Sequence, residues 1–188
     1  MTDTPRQDPR HALVIRYREA TDQDADAIGA LHADSWRRHY RDAYLDSYLD
    51  GDVIADRIKV WKSRLASGSR HQYTVVAVQA DQIVGFSHTV FDHDPTWGAL
   101  LDNLHVRTEL RGSRIGTQLL SRAAMGLLAY RPSATLHLWV LDQNKAAQSF
   151  YEARGGVRVE TALRGPFPGG GRALGHRYHW PEPSELVV

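Results

Sequence analysis

Strand-like and helix-like spacings of apolar residues alternate along most of the chain. Leu13 to Arg18 (LVIRYR) predicts a first strand. Thr21 follows as an N-cap, with Asp22 and Asp24 in the first turn, and Ile28, Leu31 and Trp36 continue a helical apolar spacing. A second helical stretch is expected over Leu45 to Ala66, broken near Gly51 and closed by Gly68 and Ser69. Tyr73 to Gln79 and Ile83 to Phe91 then read as strands around a short turn at Ala80–Asp81–Gln82. Asp92 to Trp97 (DHDPTW) reads as a turn, and Leu100 to Val106 as a further strand.

A Gly-bearing turn, Arg111 to Gly116, leads into a helix on which Ile115, Leu119, Ala123 and Leu127 share one face. Arg131–Pro132–Ser133 stops it. Thr135 to Leu141 (TLHLWVL) is apolar enough for the buried middle of a sheet. Asn144 to Arg154 is helical, with Gly155–Gly156 as its stop. Val157 to Ala162 and Ala173 to Trp180 are the last strands, around the irregular GPFPGGG segment. The sum is one α/β domain over residues 12–182, a mixed sheet with helices on both faces, flanked by tails at 1–11 and 183–188.

Composition narrows the function. The chain has 188 residues, enough for one domain with a real core. Lys+Arg is 23 against Asp+Glu 22, which does not support a nucleic-acid binder working by bulk charge. With no cysteine, thiolate metal sites and covalent catalysis through Cys are excluded; this composition suits a cytoplasmic protein. The apolar run Ala12 to Ile15 is too short to span a membrane. Asp92–His93–Asp94 lacks metal-ligand spacing, no second ligand set accompanies it, and no metal is expected.

The chemistry concentrates at Leu104 to Leu120 (LHVRTELRGSRIGTQLL), where a strand, a Gly-bearing loop and a helix start follow one another. Free N–H groups and the dipole at a helix start favour an anion, and a pyrophosphate is a natural guest. Gly112 and Gly116 let the backbone come close, and Arg111 and Arg114 add positive charge. Neither the P-loop pattern nor the dinucleotide G-x-G-x-x-G is present. A plain turn joining strand to helix is the alternative on this stretch alone.

A second stretch, LWVLDQNKAAQSFYEARGG, places Asn144 just past an apolar strand and Phe150–Tyr151–Glu152 in the following helix. Together the two resemble the GNAT superfamily of acetyl-CoA-dependent N-acetyltransferases, whose loop reads Arg/Gln-x-x-Gly-x-Gly/Ala. Here it reads Arg111-Gly112-Ser113-Arg114-Ile115-Gly116, and the later pattern reads Asn144, Ala147, Phe150, Tyr151, Glu152, Gly155. The resemblance extends over roughly residues 13 to 180. Arg114 stands where the family carries its first Gly, and either crowds the loop or supplies a further cation. Gly155–Gly156–Val157 also departs from the family's single Gly before an aromatic.

The resemblance implies a central, mostly antiparallel mixed sheet in which the strand before the loop splays from its neighbour and acetyl-CoA sits in the cleft. The backbone of Leu104, His105 and Val106 would line the acetyl and pantetheine end. Residues Arg111, Gly112, Ser113, Arg114, Ile115, Gly116 and Thr117 would hold the pyrophosphate, and Asn144 the pantetheine arm. A neutral amine would attack the thioester in a ternary complex. The Val106 N–H would stabilise the oxyanion, and Tyr151, also at the cofactor, would act as general acid on the leaving thiolate. Asp102 and His105 are candidates for the base; three apart, they fall on opposite faces of an ideal strand. Asp102 would need a raised pKa or a relaying water. His105 is equally well read as a paired sheet histidine, and many such enzymes need no base. Many relatives form dimers.

On the acceptor side, Trp36, Tyr40, Tyr44 and Tyr48 recur every four residues, with Asp34, Asp42, Asp46 and Asp50 nearby. Aromatics and acids together attract an amine, although such a stripe more often faces a core. Trp36 and Tyr40 are retained as acceptor candidates, and the GPFPGGG loop as either a mobile lid or an ordinary hairpin loop. A small-molecule amine is favoured as acceptor. Two other readings stay open: a non-catalytic CoA-binding module of the same fold, and a nucleotide-binding regulator using the 111–116 loop.

Overall fold

The computed structural model describes residues 14–66, 70–168 and 170–188, with the side chain of Asp42 outside that set. Its strands are β1 (Arg16–Glu19), β2 (Gln72–Gln79), β3 (Gln82–Asp94), β4 (Gly98–Val106), β5 (Leu136–Leu141), β6 (Val157–Arg164) and β7 (Ala173–Trp180). They form one sheet in the order β1-β2-β3-β4-β5-β7-β6. Every neighbouring pair is antiparallel except β4 and β5. The helices are α1 (Ala25–His39), α2 (Asp46–Asp50), α3 (Val53–Ala66), α4 (Ile115–Tyr130) and α5 (Lys145–Glu152). Among the described residues no helix is long and apolar enough to cross a membrane.

Helices cover both faces, as the patterning predicts. On the front face, α1 and α3 bury Ile28, Leu31 and Trp61 against Val76, Val78 and Phe86. On the back face the α4 stripe Ile115, Leu119, Ala123 and Leu127 is sealed against the sheet. Leu136, Leu138 and Val140 of β5 join the α4 core together with Tyr151, Tyr178 and Trp180. Alternate residues of β5 therefore face opposite layers: Leu141 packs with Trp36 on the front.

Several boundaries differ from the expectation. Leu13, the expected strand start, lies outside the described residues, as do the 1–11 tail and the helix-closing Gly68 and Ser69; β1 begins at Arg16. The DHDPTW turn is shorter than expected. β3 runs on to Asp94, which pairs with Gly98, so only 95–97 turn. The Asp94 carboxylate accepts from the N–H groups of Thr96 (2.8 Å) and Trp97 (3.0 Å), closing the turn from within. Residues 183–188 are not a loose tail. Pro183–Leu186 form a 3-10 turn, Leu186 is buried, and the Val188 N–H donates to Ser121 of α4 at 3.0 Å.

Two features of the sheet position the site. β4 and β5 pair only at Ala99–Leu136 and Leu100–His137; beyond those the strands part. β4 also carries a bulge: His88 lies opposite Asn103 and Thr89 opposite Leu101, so Asp102 has no partner across the ladder.

Candidate active site

Where β4 and β5 separate, a cavity of about 330 Å³ opens, lined from both strands, the loop before α4, the start of α4, α5 and the end of α1. Backbone geometry supplies its polar edge. The Arg107 N–H donates to the Val84 carbonyl at 2.9 Å, which makes that pair a hydrogen-bonded one in the β3–β4 ladder. Antiparallel pairing alternates, so His105 spends its backbone groups on Phe86, whereas Leu104 and Val106 turn theirs outward to the gap. The Val106 N–H therefore reaches the cavity. The expectation that the His105 backbone would do so is corrected; its side chain lines the cavity instead.

The loop before α4 presents further donors. The N–H groups of Gly112, Arg114, Ile115, Gly116 and Thr117 have no hydrogen-bond acceptor among the described residues, as the first turn of a helix dictates. Gly112 has φ +82° and Arg114 φ +66°, so the chain turns through two left-handed residues to aim these groups. Arg114 is thus not crowded at the glycine position; it adopts the glycine conformation, with its side chain exposed. Ser113 is a correction: its N–H and hydroxyl both go to the Leu110 carbonyl, and it does not line the cavity. Arg111 lines the cavity and reaches across the loop to His39 on α1.

The α5 wall is ordered by its own cap. The Asn144 side chain accepts the Ala147 N–H at 3.1 Å, which starts the helix and leaves Asn144 at the cavity edge. Tyr151, two turns on, lines the cavity with its ring against Phe150 and Trp180. Its hydroxyl has no hydrogen-bond partner among the described residues, and burial, then the nearby Tyr40 phenol, push its pKa well above the usual range. Arg154, not singled out in the sequence, lies over the Phe150 ring at 3.7 Å and donates to the Thr117 hydroxyl at 3.1 Å. Its place one turn after Phe150 was the available signal.

On the front wall, the bulge reverses the sequence expectation for Asp102 and His105. The extra residue cancels the alternation, and both side chains line the same cavity. The Asp102 carboxylate is held by Arg64 of α3 at 2.8 Å, which also donates to Asn103 at 3.1 Å. His105 Nδ1 lies 2.8 Å from the Ser35 hydroxyl. Burial, then His39, lower its pKa to about 4, with Asp102 pulling the other way. Either Ser35 donates to Nδ1 and Nε2 carries the proton, or Nδ1–H donates to Ser35 and Nε2 keeps a lone pair. Behind it, Trp61 donates to His32 Nδ1 at 3.0 Å, so neutral His32 carries its proton on Nε2.

Tyr40 lines the cavity, its pKa raised to about 12 by burial and then by Asp102. Trp36 does not: it is buried in the core between Tyr44 and the Arg57 guanidinium, which corrects its place among acceptor residues. The nearby acids are neutralised outside, Asp34 by Arg38 and both Asp46 and Asp50 by Arg41. The loop after β6 is tied to this wall by Phe167 stacked on Tyr44 at 4.8 Å. Among the described residues no group of three or more His, Cys, Asp or Glu is placed to hold a metal.

A family model described as an acetyltransferase (GNAT) domain matches residues 70–155, which contain β2 to β5, the loop and α5. No curated protein matches the chain. Solved structures do. The PaiA N-acetyltransferase of Thermoplasma acidophilum, in complex with coenzyme A, is 19% identical with TM-score 0.70, covering 89% of this chain and all (100%) of its own. An acetyltransferase of the GNAT family from Streptococcus pneumoniae is 23% identical with TM-score 0.65, covering 89% and 98%. YncA of Salmonella typhimurium, solved with acetyl-CoA, is 15% identical with TM-score 0.64, covering 88% and 92%. Residues 70–155 thus match a GNAT acetyltransferase domain, and the chain shares the fold of these solved structures.

Proposed function

We propose that this protein is an acetyl-CoA-dependent N-acetyltransferase that acetylates a small amine directly in a ternary complex. One observation carries the reading. The outward backbone of Leu104 and Val106 and the free N–H groups of 112 and 114–117 line one continuous cavity. That combination suits a ligand with an amide-bearing arm and a pyrophosphate. Two of the structural relatives contain coenzyme A or acetyl-CoA, which supports the same ligand here.

The residues present fit that ligand. Gly112, Arg114, Ile115, Gly116 and Thr117 would hold the pyrophosphate through backbone N–H groups, with Arg111 and Arg114 adding charge. Leu104, Val106 and Asn144 would hold the pantetheine arm. Acetyl-CoA supplies an activated acetyl thioester. Val106 N–H donates to the carbonyl oxygen as negative charge gathers there. The Tyr151 hydroxyl gives its proton to the departing sulfur. Its raised pKa requires transfer in concert with bond breaking, because a free thiolate is the weaker base. His105 in its Nε2 lone-pair form, or Asp102 through water, receives the amine proton. Tyr40 borders the acceptor.

Thermal unfolding with excess acetyl-CoA, against ATP and NAD, tests the cofactor. At about 100 times its dissociation constant the ligand adds about 2.7 kcal/mol to the native state. At this length the midpoint rises by roughly 5–10 °C with acetyl-CoA alone. An equal rise with ATP would instead favour a general anion site.

The loop position held by Arg114 gives a second expectation. In Arg114→Gly the left-handed backbone is relieved, so stability is unchanged or higher by up to about 1 kcal/mol. Acetyl-CoA binds about 2–5-fold more weakly, because one exposed cation is lost, and its affinity becomes less sensitive to salt. Calorimetric titration at two ionic strengths reads both; tighter binding in the variant would mean that Arg114 obstructs the loop.

A further inference from the structure

The front face of β5, β7 and β6 carries an anion-receptive group beside the cavity, and it bears on the acceptor. Trp139 of β5 lines the cavity. Two guanidinium groups lie against its indole, Arg164 at 4.1 Å and Arg177 at 4.6 Å. They are not equivalent. Arg177 is buried and tied on both sides, to Glu160 at 2.8 Å and to Asp94 at 3.2 Å. Arg164 is half-buried and has neither ion pair nor hydrogen bond among the described residues.

The reach of Arg164 is built into the sheet. It belongs to β6, and β7 stands between it and Trp139. Gly175 of β7 is the residue crossed: a Cβ there would come within 2.8 Å of the Arg164 Cγ and 3.5 Å of the Trp139 ring. The missing side chain lets the arginine stem lie flat across the middle strand and set its planar head on the indole. This costs burial of a charge, and the guanidinium is desolvated and further opposed by Arg177, with only Glu160 acting in its favour. A partly desolvated guanidinium with free donors is a receptor for an oxygen anion.

The acids of this wall are already committed. Asp102 is paired with Arg64, Asp94 and Glu160 with Arg177, and Asp56 with Arg57. Among the described residues the acids named here are thus all paired, whereas Arg164 has no acid partner. An acceptor whose amine enters beside Val106 and whose body crosses the Trp139 indole would bring its far end to Arg164.

We propose that Arg164, laid over Gly175 onto Trp139, is the acceptor's anion receptor, and that the physiological acceptor is an amine that also carries a carboxylate. This rests on the N-acetyltransferase reading and names the substrate class it leaves open. No covalent step is added: the carboxylate is bound, not transformed.

The test uses the whole protein and matched acceptors, α- and ω-amino acids against their carboxamides. CoA release gives kcat and KM, and calorimetry with CoA present gives binding independently of turnover. Within a matched pair, the carboxylate has kcat/KM at least tenfold higher. In Arg164→Gln that advantage disappears through KM, while Arg164→Lys, which keeps the charge, retains part of it. The acetyl-CoA thermal shift of each variant reports that it is folded. A pair that is acetylated equally well, or a preference that survives Arg164→Gln, overturns the receptor and leaves the N-acetyltransferase reading standing. Conversely, Arg164-dependent carboxylate binding without any amine turnover keeps the receptor and overturns the reaction. Equal binding of both members without turnover overturns both.

Discussion

Tyr151→Phe lowers kcat by about 10²–10⁴ while acetyl-CoA binding is unchanged. The substitution is clean because the hydroxyl makes no hydrogen bond to the described residues, so its removal leaves no orphaned partner. The ring keeps its contacts with Phe150 and Trp180, at centroid distances of 5.1 and 5.9 Å. Stability should therefore move by no more than a surface change does, about 0.5 kcal/mol. The lost rate reflects departure of the thiolate without a proton. Single-turnover rates with a series of acyl thioesters separate this from an acceptor effect: the variant becomes more sensitive to the acidity of the leaving thiol. A loss below about threefold, with unchanged sensitivity, would remove Tyr151 from proton transfer. It would leave the phenol as a packing residue, as in a non-catalytic CoA-binding module.

Mild acid should destabilise the protein more than its near-neutral net charge suggests. His88 and His137 are sealed from solvent, and burial is the largest cause in lowering each pKa to about 4. The unfolded chain binds protons at these residues near pH 6.5, whereas the folded chain resists them until about pH 4. Stability is thus present above pH 6.5 and is lost as pH falls toward 4. Between pH 7 and 5 each of the two contributes a loss of about 2 kcal/mol. His32, also buried and held well below its usual range by burial first, acts in the same direction. Urea unfolding at pH 7, 6 and 5 measures the slope. His88→Gln and His137→Gln should each flatten it. A stability independent of pH over this range would mean that these rings gain protons inside the fold.

Much of this architecture is legible in the sequence because one face of each element is apolar and the other is not. The α4 stripe from Ile115 to Leu127 and the run from Leu136 to Leu141 identify helix and central strand without help. The loop is equally legible, since only a strand, a glycine and a helix start yield that set of free N–H groups. What is hidden is long-range. Nothing near Asp102 announces a bulge, because the extra residue exists only relative to β3. Arg64 is 38 positions before Asp102, and its pairing depends on how α3 packs. Ser35 and His39 sit one turn apart on α1, and nothing in that spacing identifies His105 or Arg111 as their partners. Trp36 failed as an acceptor residue for the opposite reason: its aromatic neighbours are its core.

The parting of β4 from β5 divides the sheet into two separately stitched panels. β1 to β4 are bonded to one another by antiparallel ladders, as are β5, β7 and β6, but among the described residues only two ladder pairs join one panel to the other. Behind this seam, Leu120, Ala123 and Leu127 of α4 pack in one core with Ala99 and Leu101 of β4 and Leu136 and Leu138 of β5. Substitutions there can widen or narrow the opening without breaking a ladder in either panel. Such a seam lets one scaffold be refitted to ligands of different bulk while the hydrogen-bonded halves stay as they are.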